Sequence, residues 1–295
     1  MPPAGKSPYV AGLMALAAIV SIQIGTAIAV GLFDLVGVGT TVFVRSAIAA
    51  LILLLIWRPS PALFKEIWPV ALAFGVAIAA VTFCLYAAIE RIPLGAAVTI
   101  EFLGPLTVAL LASRRLSDLA WVFLAAAGIV LLTGGLDGGD LDPVGVAFAF
   151  GAAISWAAYI VLGKRLAARS LGGEGLAISL VFTTVVLVPF LLMGGTGPIL
   201  APEVLAMALV VAILSAALPF SLEIEALRRL PARTFGVLMS LEPGVAALAG
   251  LAILGQVPAP REVLAIGLVV LASAGALSSA ASAAPTGVGR RGPSR

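Results

Sequence analysis

Charged and turn-forming residues cut this chain into ten apolar runs, at about 9–31, 37–57, 66–89, 94–112, 117–134, 143–165, 174–194, 203–226, 233–254 and 261–284. Each is near the roughly 20 residues that a bilayer core requires. Lipid offers no partner to a backbone N–H or C=O, so every run is expected to be helical. With the N-terminus inside, the inner segments hold Lys6; Arg58 and Lys65; Arg114 and Arg115; Lys164, Arg165 and Arg169; Arg228, Arg229 and Arg233; and Arg290, Arg291 and Arg295. That is fourteen of the 17 basic residues; Arg91 and Arg261 fall outside and Arg45 falls within a span. Asp34, Asp137, Asp140 and Asp142 all fall outside. The bias predicts both termini in the cytoplasm. Tyr9, Trp57, Trp68 and Trp121 fall at inner span ends, where amphipathic rings favour the interface.

Composition narrows the class further. Hydrophobic residues make up 62% of the chain and charged residues 11%, with mean hydropathy +1.20, a balance that belongs to a polytopic membrane protein. Basic residues lie between apolar runs and form no stripe suited to nucleic acid. Histidine is absent and Cys84 is the single cysteine, which removes disulfide frameworks, thiolate zinc sites and histidine-based catalysis. The first run, from Tyr9 to about Gly31, reads as a retained helix, and the Gly/Pro/Arg-rich end reads as disordered.

The chain also repeats itself. Arg91-Ile92-Pro93 recurs as Arg229-Leu230-Pro231, and Pro105 recurs as Pro243, at one shift of 138 residues. The copies end in Gly128-Ile-Val-Leu-Leu and Gly267-Leu-Val-Val-Leu, after a one-residue slip. Five spans per half make the second copy enter from the opposite face. The expected fold is therefore an all-α polytopic membrane protein of ten transmembrane helices in two inverted five-helix repeats. The repeats occupy residues 1–138 and 139–284, and 285–295 form a cytoplasmic tail.

Ionised groups deep in lipid are costly, about 2.5–3.5 kcal/mol on insertion scales. Arg45, Glu101 and Glu242 sit well inside spans 2, 4 and 9, and Glu223 lies near the inner end of span 8. Pro105 and Pro243 lack an N–H and should free the carbonyls of Glu101 and Met239, weakening spans 4 and 9 at matching places. Two readings follow. The kinks flank a cavity that the carboxylates line or gate, or they are packing kinks with each Glu protonated or paired with Arg45 or a hydroxyl. Arg45 itself is expected to form a charge-compensating or topology-fixing pair, and Glu225 to pair with Arg228 or Arg229 at the interface. Glu223 then points elsewhere, inward below Pro219. Trp156 and Tyr159 share a face of span 6 with Ala152, Ser155 and Gly163, and Thr82 precedes Tyr86 by one turn in span 3. Span 1 carries Ser21, Gln23 and Thr26. These groups either line a cavity for a small amphipathic solute or make interhelical contacts. Trp156 and Tyr86 are expected to line it, and Tyr159 and Ser21 to pack.

No Walker motif, nucleophile elbow or zinc pattern occurs. The pairs Gly134-Gly135 and Gly138-Gly139 lie in an acidic loop unsuited to phosphate, and a single buried Arg45 makes no voltage-sensing ladder. Transport by alternating access is the reading that remains, with a channel harder to exclude.

The stretch from Pro219 to Pro243, Pro-Phe-Ser-Leu-Glu-Ile-Glu-Ala-Leu-Arg-Arg-Leu-Pro-Ala-Arg-Thr-Phe-Gly-Val-Leu-Met-Ser-Leu-Glu-Pro, resembles the threonine/homoserine exporters. These belong to the EamA-domain branch of the drug/metabolite transporter superfamily. Ser21-Ile-Gln23, Pro93 through Glu101 to Pro105, Ser113-Arg-Arg115 and Trp156-Ala-Ala-Tyr159 are similar to the same family, with a departure at Glu225. The resemblance runs nearly end to end. It implies the drug/metabolite transporter fold, with a central cavity formed mainly by helices 1, 3, 4, 6, 8 and 9. It also implies export of amino acids, threonine/homoserine-type or aromatic, from the cytoplasm across an inner membrane. The alternative is export of other metabolites or drugs.

On this reading the protein is no enzyme and needs no cofactor or metal. Its partners are an amino-acid substrate, the lipid bilayer and protons as a coupling ion, with no nucleic acid. The substrate groups are Gln23, Thr82, Tyr86, Glu101, Ser155, Trp156, Glu223, Met239 and Glu242, and the hinges are Pro105, Pro219 and Pro243.

Overall fold

The computed structural model describes residues 8–112, 119–132, 141–170, 173–193, 198–227, 229–230, 235 and 238–282. Lys6, Arg114, Arg115, Asp137, Asp140, the two Gly-Gly pairs, Arg228, Pro231, Arg233 and the tail 285–295 lie outside these residues, as does the side chain of Glu225. Among the described residues the chain is helical, with no strand.

The first helix, α1 (Pro8–Trp57), carries predicted spans 1 and 2 in one run of 50 residues. An apolar run of that length is about twice what a bilayer core accommodates, so it needs a break. The break is Gly37, at φ 75° and ψ 162°, a conformation that glycine adopts without a Cβ penalty. The loop expected at 32–36 is helical instead. Its residues Leu32, Phe33 and Val36 are buried, so the connection contracts to one residue.

Helix α1 ends at Arg58, whose positive φ of 45° and N–H bond to the Leu54 carbonyl close its last turn. Helix α2 (Pro61–Ile89) then starts from Ser60, whose hydroxyl accepts from Leu63 N–H, with Pro61 in the first turn.

Predicted span 4 is two helices, α3 (Leu94–Glu101) and α4 (Leu103–Ala112), separated at Phe102. Helix α5 is Leu119–Leu132. Helix α6 (Pro143–Ala167) is capped by Asp142, which accepts from Val144 N–H at 2.8 Å, and α7 is Glu174–Met193. Predicted span 8 is also interrupted: α8 (Pro202–Ala212) widens into a π-helical turn, Ile213–Ala217, before α9 (Leu218–Leu227). Leu218 N–H reaches the Ile213 carbonyl five residues back, and Pro219, with no N–H, falls in the first turn of α9, where none is needed. Span 9 resumes as α10 (Glu242–Leu254) after a turn at Ser240 and Leu241. The last helix, α11, is Pro260–Ser282.

Small residues let these helices approach closely, as packing in lipid favours. Helix α2 lies along α6 in the antiparallel sense, with Phe74 against Gly163, Cys84 against Gly151 and Arg91 against Gly145. The first half of α1 runs antiparallel to α8 and its π turn, with Gly31 against Met207 and Gly25 against Leu214 and Ser215. Helix α5 is antiparallel to α11: Gly128 meets Ala265, Leu268 and Val269, while Trp121 meets Gly275. Helix α3 meets α10 through Gly95 and Ala247. Trp57 and Trp121 thus pack on Gly173 and Gly275, whereas Tyr9 and Trp68 remain exposed.

Candidate transport site

The breaks in the helices gather the buried ionisable groups. Glu101 is the last residue of α3 and Glu242 the first of α10, where a carboxylate also complements the helix dipole. They are 6% and 8% exposed. The 3%-exposed Gln23 of α1 donates from Nε2 to Glu242 Oε1 at 3.0 Å, joining residues 219 apart in the chain. The charge of Glu242 acts on both Glu101 and Glu223, so carboxylates from α3, α9 and α10 share one electrostatic neighbourhood. Glu223 is half-buried and in turn acts on Tyr159.

Aromatic rings border this cluster. Trp156 meets Phe102 edge-on, centroids 5.2 Å apart, and Phe102 is the residue at the break beside Glu101. Tyr159 stacks on Phe74 at 4.7 Å. Tyr86 is buried deeper, against Phe33 at 5.6 Å, with Thr82 buried one turn before it. Ser155 and Met239 are half-buried, the first beside Trp156 and the second just before the turn that starts α10. Ser21 donates to the Leu214 carbonyl at 2.7 Å, an interhelical bond.

Pro105 follows the break at Phe102 by three residues, and Pro243 follows the turn at Leu241 by two. Missing N–H groups explain both interruptions. An interior proline removes a helical hydrogen bond and crowds the carbonyl four residues earlier.

The expectation for Arg45 needs correction. Among the described residues it pairs with no carboxylate. Its Nε donates to Ser215 Oγ at 2.7 Å and its Nη2 to the Ser215 carbonyl at 2.8 Å, and its guanidinium lies over the Tyr86 ring, 5.8 Å from the centroid. That carbonyl stands four residues before Pro219, so it lacks its ordinary helical donor, and the guanidinium takes that place.

Ser215 and the π turn were missed in the sequence reading. The available signal was the position of Pro219 relative to a serine four residues back. Arg91, by contrast, is tied to surface groups: it bonds Glu90, approaches Asp142 at 3.9 Å and lies 5.5 Å from the Phe148 ring.

Long apolar helices that are interrupted where carboxylates and an amide converge are the build of a polytopic membrane protein with a buried polar site, the arrangement a transporter uses. The chain belongs to the EamA-like transporter family, whose model matches residues 143–278. It is 42% identical over 262 residues to the threonine/homoserine exporter RhtA of Escherichia coli strain K12, covering 88% of each chain. It is 40% identical over 265 residues to the threonine/homoserine exporter RhtA of Salmonella typhimurium strain LT2, covering 89% of this chain and 90% of the other. A crystal structure of a protein 18% identical in sequence superposes with a TM-score of 0.59 over 90% of this chain and 95% of that chain, a likeness of fold.

Proposed function

We propose that this protein exports amino acids of the threonine/homoserine type from the cytoplasm across the inner membrane. The observation that carries this reading is the gathering of Glu101, Glu223, Glu242 and Gln23 beside the interrupted helices. Freed carbonyls and ionisable side chains persist at membrane depth where protein or a water-lined cavity surrounds them. An acidic cluster with one amide favours the ammonium of an amino acid, and Trp156 packs against its side chain.

The mechanism is alternating access between two inverted repeats, 1–138 and 139–284, with ten spans and both termini in the cytoplasm. The antiparallel packing of α5 on α11 supports this, because the repeat equates Gly128 with Gly267 and equivalent helices of an inverted pair run in opposite directions. The packing of α2 on α6 and of α1 on α8, spans 3 on 6 and 1 on 8, supports it differently, because the repeat exchanges the one contact for the other. Pro105, Pro219 and Pro243 act as hinges. Proton exchange through the buried carboxylates couples export to the proton gradient.

Counterflow in proteoliposomes across the twenty amino acids tests the reading. Saturable exchange of threonine and homoserine is expected. Exchange confined to other metabolites would replace the substrate class, and unsaturated current would indicate a channel.

A further inference from the structure

Arg45 is 7% exposed and holds a permanent charge without a counter-ion among the described residues. Its bonds to Ser215 use Nε and Nη2, and they orient the guanidinium without neutralising it. Nη1 keeps its donors. Tyr86 beneath it is 2% exposed, and its hydroxyl has no hydrogen-bond partner among the described residues. A buried cation and a buried hydroxyl that lacks an acceptor stand together at the interface of α1, α2 and the π turn.

The unfilled groups near Glu242 are of the opposite kind. Gln23 gives its Nε2 to Glu242, and its Oε1 is buried with no partner among the described residues, so it offers an acceptor beside that carboxylate. Donors at Arg45 and Tyr86 and an acceptor at Gln23 are the two kinds of group that a zwitterion calls for.

We propose that Arg45 is the anchor for the substrate's carboxylate. Tyr86 Oη is the second donor, and Ser215 is the positioning residue that presents the guanidinium fork. The fork accounts for arginine at this position, since a planar pair of N–H groups matches a carboxylate and a lysine ammonium does not. The π turn has a role as well: it delivers the Ser215 hydroxyl and carbonyl to one guanidinium together. This inference rests on the amino-acid reading above and adds to it the site that receives the acid group.

The test compares threonine with its amino alcohol, in which the carboxylate is reduced, in proteoliposome counterflow. Wild type should exchange threonine and barely recognise the alcohol. Arg45→Gln should raise KM for threonine at least tenfold while competition by the alcohol stays the same. Arg45→Lys should lie between them, and Ser215→Ala should raise KM severalfold with little loss of kcat. Size-exclusion and thermal unfolding report folding, and if Arg45→Gln fails to fold, the lysine and Ser215 variants give the same readout.

An unchanged threonine-to-alcohol preference in these variants overturns the proposal, as does a loss of kcat alone. A second arm measures thermal protection by short carboxylates against the matching amides. If no amino acid exchanges, yet carboxylates protect wild type and leave Arg45→Lys or Ser215→Ala less protected, the exporter reading falls and the anchor stands. If carboxylates protect no better than amides, the anchor falls.

Discussion

Gln23 Nε2 donates to Glu242 Oε1 at 3.0 Å, and the equivalent place in the other half of the molecule carries no polar pair. The repeat equates Glu242 with Gly104. It also equates spans 4 and 6 with spans 9 and 1, so the crossing of α4 on α6 is the counterpart of that of α10 on α1. In the structure Gly104 packs directly on the Ala153 carbonyl and on Ala157. One copy therefore holds its crossing with an amide–carboxylate bond, and the other holds it with backbone contact and no side chain between. A bond exchangeable for substrate or water suits a moving contact, and a close-packed seam suits a fixed one.

Glu242→Gln keeps the shape of this contact and removes its charge. A hydrogen bond from the substrate's ammonium to a charged acceptor is worth about 1.5–3 kcal/mol, so removing the charge should raise KM for threonine by about an order of magnitude. Gln23→Ala should raise KM comparably. Labelled-threonine counterflow at several concentrations measures both, and an unchanged KM would place the pair outside the substrate path.

Coupling is tested by the carboxylates together. With Glu101→Gln and Glu242→Gln combined, an imposed pH gradient, acid inside, should no longer drive threonine into inverted vesicles, while downhill exchange persists. Retained gradient-driven flux would assign coupling to other groups.

The seams predict stability. A Cβ on Gly75 would lie 2.5 Å from the Ser179 carbonyl oxygen, and one on Gly104 would collide with that of Ala153. Overpacking costs about 1–3 kcal/mol, so Gly75→Ala and Gly104→Ala should each lower the unfolding midpoint in detergent. Gly244→Ala is the control, because a Cβ there meets nothing within 4 Å. A midpoint equal to wild type at Gly104 would mean that the seam opens easily.

Arg91 should matter far less. Its ion pairs with Glu90 and Asp142 are partly exposed, and such pairs contribute about 0–1 kcal/mol. Arg91→Gln should leave the unfolding midpoint nearly unchanged and transport intact, as checked in the same assays.

Much of the fold was legible because lipid leaves the backbone few choices. The ends of α6, α7 and α11 lie close to the predicted boundaries, since Asp142 with Pro143, Glu174 and Pro260 mark the starts that charge and proline chemistry favour. Helix α1 covers the residues of predicted spans 1 and 2, but the form of their connection was not legible, because nothing local distinguishes Gly37 from the other glycines in apolar runs. Pro105 and Pro243 indicated where spans 4 and 9 would fail, and Pro219 pointed to a weak place whose form, a π turn, was not foreseen.

The sequence by itself determined a chain of apolar helices with a handful of groups that lipid would not tolerate unaccompanied. The reason is the cost of unpaired polar atoms away from water, which acts residue by residue and needs no knowledge of neighbours. Tertiary structure alone decided who accompanies whom. Gln23 finds Glu242, and Arg45 finds Ser215 and Tyr86 rather than a carboxylate. Those pairings depend on which helix faces meet across some two hundred residues of chain, and packing of small side chains settles that, which leaves no periodic mark in the sequence.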